Sequence, residues 1–414
     1  MKIKSSASKA GRALFGLTDY WDCYHESFDW DDSEEITRPD ADETVEQLCS
    51  VGLPNSEAEK CWRSGYFFET HSHHIIDRYY GGWLLSTDGR TRFELPEFAR
   101  LSLGARSEIP VYHATSWDHV SAIVDEYSQK HRRPLLFRGQ TSNYLLAREF
   151  PNPFFNVPGL GEVSLVPSVW RRMLGKRRES FHNFRGPSPR EWSRMLNSTF
   201  DMAQINRRID AFRVAGNEFF NMFDLEDAKD TVLSEYAGCQ LDMEMVSPGL
   251  VATLATLLQH YGLDSHVLDL TSSLDIAIYF ATHEFERSSS GCSYKFVGTN
   301  DRKSVLYLLR ESNQEMRPYE STERVIQRLA PLRPKRQHCM VSTTSSAALN
   351  LAADFLVAVV LLEFDCTARR ASHSTEELFP STSEDTFLRA LKTNPETALH
   401  LTEFAPSPHH SREV

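Results

Sequence analysis

Trp117, Val120, Ile123, Val124 and Tyr127 recur at three- and four-residue steps after Ser116, which predicts an amphipathic helix opened by a serine cap. A short apolar run, Leu135 to Phe137, follows and predicts a strand that ends in Arg138-Gly139-Gln140. Between Phe200 and Met245 the stretches FDMAQINRRIDAFRVAG and KDTVLSEYAGCQLDME return to the helical step, which predicts a helical insertion over about 190–250. SVLYLLRE (304–311) and FLVAVVLLEF (355–364) are continuous apolar runs suited to buried strands, the second long enough to contain part of a helix.

The stretch from Leu250 to Phe285 combines both periods. Leu250, Leu254, Leu257, Leu258 and Tyr261 form one helix face, with Gly262 where a left-handed cap belongs. Val267 to Leu270 reads as a short strand, Ser272 and Asp275 resemble a capping box, and Leu274, Ala277, Ile278, Ala281 and Phe285 form the face of a second helix. That order collects Gln259, His260, Asp269, Thr271 and Ser272 near one rim. The expected fold class is α+β or α/β: a mixed sheet flanked by helices, with a helical insertion and a small N-terminal region. Residues 1–108 read as an acidic N-terminal region, 109–395 as the main domain and 396–414 as a flexible tail.

Composition narrows the class. A chain of 414 residues with 41% hydrophobic content can bury one large or two medium cores, and its net charge of -12 argues against general coating of nucleic acid or anionic membrane. No apolar run reaches the roughly 18 residues of a membrane span. The seven cysteines are odd in number and include no CxxC pair, so a cytoplasmic protein with reduced thiols is expected. His71, His73 and His74 have metal-ligand chemistry but no second cluster, so they are read as exposed histidines before a helix and no metal is predicted. Residues 170–194 carry eight Lys or Arg against two Glu, interleaved with Trp170, Phe181, Phe184 and Trp192. That segment could meet phosphates and stack bases, or it could be a basic surface loop offsetting the acidic N-terminal region.

The chemistry concentrates around Arg138. A guanidinium binds phosphate oxygens bidentately, glycine lets a ligand approach closely, and a helix start offers unpaired N–H groups. The structural reading of the same residues is an ion pair from Arg138 to Asp269 or Glu149. Arg138, Gly139, Gln140, Gln259, His260, Tyr261, Asp269 and the Thr271–Ser273 cluster are therefore the expected lining of a polar cleft for a nucleotide or phosphate ligand. His260 and Asp269 could form an acid–base pair, although a histidine in the last turn of a helix is also favoured by the dipole alone. Neither a GxSxG elbow nor an HExxH motif is present.

LLFRGQ (135–140), LVPSVWRR (165–172) and LLQHYGLDSHVLDLTSSLDIAIYFA (257–281), in that order, resemble the FRG domain, named for a Phe-Arg-Gly motif. KRQHCM (335–340) is similar to the family's Gln-x-Gly block and EELFPS (376–381) to its Leu-Phe-Pro ending, so the resemblance spans roughly 110–395. It departs at Cys339, where glycine is expected, and at Asp264-Ser265-His266, where the family has Pro-Thr-Arg. Phe184-Arg185-Gly186 repeats the string but follows no strand. The layout is also similar to the Arg, Ser-Thr-Ser, Glu arrangement of ADP-ribosyltransferases. That resemblance implies NAD as substrate, with either ADP-ribosyl transfer to a protein acceptor or NAD cleavage, and family-level association suggests a toxin or phage-defence setting. It also implies that Arg138 holds the pyrophosphate or ribose, that Thr271 and Ser272 line the nicotinamide pocket, and that Glu363 or its rival Gln337 stabilises the developing positive charge.

Overall fold

The computed structural model describes residues 41–69, 73–77, 92–104, 109–154, 156–165, 189–216, 221–245, 250, 253–254, 257, 259–262, 268–288, 291–311, 316–318, 323–342, 350, 355–366 and 372–393. Most of the 165–172 block, Asp264 to His266, Phe184-Arg185-Gly186 and the tail lie outside them.

The N-terminal part contains α1 (Ala41–Ser50), α2 (Asn55–Arg63), β1 (Tyr66–Glu69), β2 (His74–Asp77), β3 (Arg92–Glu94) and α3 (Leu95–Ser102). Its three strands pair antiparallel in the order β1-β2-β3. His74 opens β2 and sits 3.1 Å from Glu94, so the histidine cluster leads into a strand and not a helix. Tyr66 packs on Phe98 and Phe150, and Phe93 stacks on Phe154 at 4.2 Å, which joins this part to the chain that follows.

The main part runs through β4 (Val111–Ala114), α4 (Trp117–Lys130), β5 (Leu135–Gln140), β6 (Leu145–Leu146), β7 (Asn156–Val157) and β8 (Gly161–Val163). Four helices follow, α5 (Pro189–Asn197), α6 (Met202–Val214), α7 (Met222–Glu226) and α8 (Thr231–Met245). Next come β9 (Asp269–Thr271), α9 (Leu274–Thr282), β10 (His283–Ser288), β11 (Gly291–Phe296), β12 (Val305–Arg310) and β13 (Met316–Pro318). The remainder is α10 (Arg324–Leu329), α11 (Leu332–Arg336), β14 (Cys339–Ser342), β15 (Leu356–Leu362), α12 (Thr375–Leu378) and α13 (Thr386–Thr393).

A seven-stranded sheet in the order β13-β14-β9-β5-β12-β15-β4 organises the protein. Its pairs are antiparallel except β15 with β4, so the sheet is mixed and the fold is α+β. Ser116 caps α4 by accepting from the His119 N–H, and Val120, Ile123, Val124 and Tyr127 are buried on one face of the sheet with α9. Tyr307, Val359, Leu268 and Leu270 fill the other face, against Val157, Val163 and Leu165. The helical insertion forms a separate cluster in which Ile205, Leu233, Leu250, Leu254, Leu257 and Tyr261 meet. Trp192 is buried in that cluster and stacks on Phe387 at 6.0 Å, so its ring is committed to packing and does not face a nucleic acid.

Two local expectations change. Ser273, not Ser272, caps α9 by accepting from the Ile276 N–H, while Asp275 turns outward to accept from Ser372. The helix stops at Thr282 because the Thr282 hydroxyl bonds back to the Ile278 carbonyl and the His283 ring stacks on Tyr279 at 4.0 Å. Phe285 therefore belongs to the β10–β11 hairpin and not to the helix face.

Candidate functional site

β5 and β9 share a single registered pair among the described residues, Phe137 with Thr271. Beyond it Arg138 crosses the seam: its Nη1 donates to the Asp269 carbonyl at 2.9 Å and to Asp269 Oδ1 at 3.0 Å. The side chain thus takes up a backbone acceptor that a continued ladder would have used. Gly139 is glycine for a different reason from the one expected. A Cβ there would stand 1.8 Å from the Ala277 carbonyl oxygen and 2.9 Å from the Ala281 nitrogen, so the residue admits the backbone of α9 and not a ligand.

The parted seam opens a cavity of about 220 Å³ lined by Phe137, Arg138, Gly139, Gln259, His260, Asp269, Leu270, Thr271, Phe280, Tyr294 and Gln337. Seven expected site residues meet there: Arg138, Gly139, Gln259, His260, Asp269, Thr271 and Gln337. Four are elsewhere. Gln140 pairs with Val305 at the end of β5, and the Ser272 N–H donates to the His338 carbonyl at 3.1 Å. Tyr261 is fully buried with its hydroxyl donating to Asp385. Glu363 follows β15, is 42% exposed and pairs with His113 at 2.8 Å. With β12 between β15 and β5, two strand spacings of roughly 4.8 Å separate Glu363 from the Arg138 strand, so the glutamate position carried over from ADP-ribosyltransferases is not at the cleft. The sequence reading missed the apolar walls, Phe137, Leu270, Phe280 and Tyr294. Of these only Phe280 carried a signal, an aromatic ring off the buried face of its helix.

The ion-pair reading of Arg138 holds for Asp269, whereas Glu149 pairs with Arg63 at 3.0 Å. Burial on its own would raise the Asp269 carboxyl, but the Arg138 guanidinium and the other groups around it hold it below the ordinary carboxylate range. Burial also depresses the His260 imidazole, against the opposing pull of Asp269, which leaves it neutral near pH 7. One cation and one anion therefore cancel, and the lining as a whole is uncharged.

Most polar groups of the lining are already used. The Thr271 hydroxyl donates to the Gln337 carbonyl at 2.9 Å and accepts from the Ser273 N–H at 3.1 Å. Gln337 Nε2 donates to the Leu378 carbonyl at 3.0 Å and its Oε1 meets His260 Nδ1 at 2.7 Å. Gln259 Nε2 donates to Asp269 Oδ1, which fixes the amide orientation because a carboxylate can only accept. Two buried atoms of the lining remain without a hydrogen-bond partner among the described residues, Arg138 Nε and Gln259 Oε1. One is a donor and the other an acceptor.

Cys339, where the resemblance expects glycine, opens β14, and the left-handed residue is its neighbour His338 (φ 46°), so the turn does not require glycine at 339. Among the described residues no group of three His, Cys, Asp or Glu side chains converges to hold a metal ion, and no helix is long and apolar enough to cross a membrane.

The FRG domain family matches residues 180–290, a segment that contains the 257–281 block and stops short of the Phe137-Arg138-Gly139 string. No curated protein and no solved structure matches the chain.

Proposed function

We propose that this protein, which carries an FRG domain, binds a nucleotide by taking a flat, amide-bearing ring into the cleft beside Arg138. The reading rests on the orphaned pair of Arg138 Nε and Gln259 Oε1. Leaving a buried donor or acceptor unmet costs about 1–3 kcal/mol each, and a carboxamide or a nucleobase edge supplies the matching acceptor and donor together. A phosphate offers acceptors only and would leave Gln259 Oε1 unmet. Phe137, Phe280 and Tyr294 supply apolar and aromatic walls for a ring.

A cavity of about 220 Å³ is smaller than the roughly 300–1,000 Å³ of sites that enclose a whole drug-sized ligand, so ribose and phosphate would stay at the mouth. NAD, whose nicotinamide carries a carboxamide, is the first ligand to test. For NAD cleavage or ADP-ribosyl transfer the cleft offers Asp269 as its lining carboxylate, and that group is already held by Arg138 and Gln259. Ligand binding is therefore the function this geometry supports best.

Calorimetric titration with NAD, nicotinamide, AMP and inorganic phosphate tests it. NAD and nicotinamide should compete for one site, and Gln259→Met should weaken both about tenfold, the equivalent of one hydrogen bond of about 1.4 kcal/mol. Binding of phosphate without binding of any ring compound, or undiminished affinity in Gln259→Met, would refute the reading. Release of nicotinamide from NAD, lost in Asp269→Asn, would extend it to catalysis.

A further inference from the structure

A directed chain of hydrogen bonds runs under the cleft from β14 to α12. Because Gln337 Nε2 donates to the Leu378 carbonyl, Gln337 Oε1 is turned toward His260 and can only accept. His260 Nδ1, 2.7 Å away, must then carry the proton. Nε2 of the neutral ring is left as an acceptor, and the group facing it is Cys339 Sγ at 3.1 Å, nearer to the thiol than its other acceptor, the Met340 carbonyl at 3.6 Å, so the S–H is assigned to Nε2. Cys339 is the strand partner of Thr271, so the thiol sits directly beside the cleft floor. Burial, reinforced by the nearby Asp269 carboxylate, pushes the Cys339 thiol up and keeps it protonated, as a donor must be. The other groups facing His260 are Asp269 from β9 and Arg333 from α11, whose Nη1 donates to the His260 carbonyl at 3.2 Å.

We infer that Cys339 is a positioning residue of the ligand cleft: at Nε2 its thiol reinforces the Nδ1–H tautomer that Gln337 sets from the other side of the ring, and so fixes the wall against which the ligand ring lies. The inference rests on the cleft being the ligand site proposed above. It predicts that His260 and Gln337 offer the ligand no free donor or acceptor, which leaves recognition to Arg138 and Gln259. A thiol is a weak donor and a hydroxyl a stronger one, so serine should replace cysteine here and alanine should not.

Nitrogen-15 NMR of the imidazole in the full chain reads the tautomer directly, with nicotinamide titration alongside. In the wild type, Nδ1 should be the protonated nitrogen and Nε2 the unprotonated one. Cys339→Ala should raise the share of the Nε2–H tautomer and weaken nicotinamide several-fold, and Cys339→Ser should restore both. A protonated Nε2 in the wild type, or an unchanged tautomer in Cys339→Ala, would overturn the inference. If no form binds nicotinamide, the ligand proposal falls, and the nitrogen shifts still decide whether the lock exists.

Discussion

Two arginines with largely buried side chains, ten residues apart in sequence, divide the molecule into scaffold and site. Arg148 uses all five of its N–H groups: Nε and Nη2 on Glu162 at 2.8 Å, Nη1 and Nη2 on Asp77 at 3.0 and 2.7 Å, and Nη1 again on the Ser64 carbonyl at 3.2 Å. The Asn152 amide closes on the same Asp77 carboxylate at 2.7 Å, and the guanidinium lies over the Tyr66 ring at 4.6 Å. Arg138, which lines the cavity, shares one carboxylate and one carbonyl through Nη1 alone and leaves its buried Nε unmet. A saturated buried cation ties segments together, here the N-terminal strands to the β6–β8 sheet. An undersatisfied one has hydrogen-bonding capacity left for a partner from outside.

Substitutions should separate the two roles. Arg148→Met strands Asp77 and Glu162, both fully buried side chains, and should cost about 3–5 kcal/mol in chemical denaturation. Gly139→Ala forces a Cβ into the Ala277 carbonyl and should cost about 1–3 kcal/mol or fail to fold, although no hydrogen bond is removed. Arg138→Met should be milder than Arg148→Met, about 1–3 kcal/mol, because Asp269 keeps 24% exposure and a bond from Gln259. Its effect on ligand affinity should exceed that of Arg148→Lys in any folded sample. Equal stability losses for Arg138→Met and Arg148→Met would erase the distinction.

The pH dependence gives the smallest effect. His260 is depressed in the folded protein, so the unfolded chain binds this proton first. Its contribution is complete above the unfolded pKa of about 6.5 and is lost as pH falls through the folded value. Asp269, also depressed, adds a loss of the same sign below about 3.8. Denaturation midpoints should therefore fall between about pH 7 and 5, and fall less in His260→Gln. An equal fall in both would remove His260 from the account.

Much of the fold was legible where a local period repeats. Ser116 and the spacing from Trp117 to Tyr127 marked α4, Gly262 (φ 85°) is the left-handed cap expected, and the apolar runs at 305–310 and 356–362 are central strands. The failures share one cause, which is that each depends on a contact or a pairing that hydrophobic periodicity does not encode. Glu363 looked available because β15 resembles a site strand, yet β12 intervenes. Gly139 was read as making room for a ligand because nothing in the sequence says that α9 presses its backbone there. Phe285 continued the helical spacing by coincidence, and the His283–Tyr279 stack that ends the helix is invisible to periodicity. The Arg138–Asp269 pairing was anticipated, but its consequence, an uncharged lining with Arg138 Nε and Gln259 Oε1 buried and unmet, depends on how distant segments meet.

A crystal structure of the protein soaked with nicotinamide, and separately with NAD, tests the central claim most directly. The account predicts a ring among Phe137, Phe280 and Tyr294, with an acceptor on Arg138 Nε and a donor on Gln259 Oε1. A ring bound elsewhere, or a phosphate alone in the cleft with Gln259 Oε1 still unmet, would contradict it.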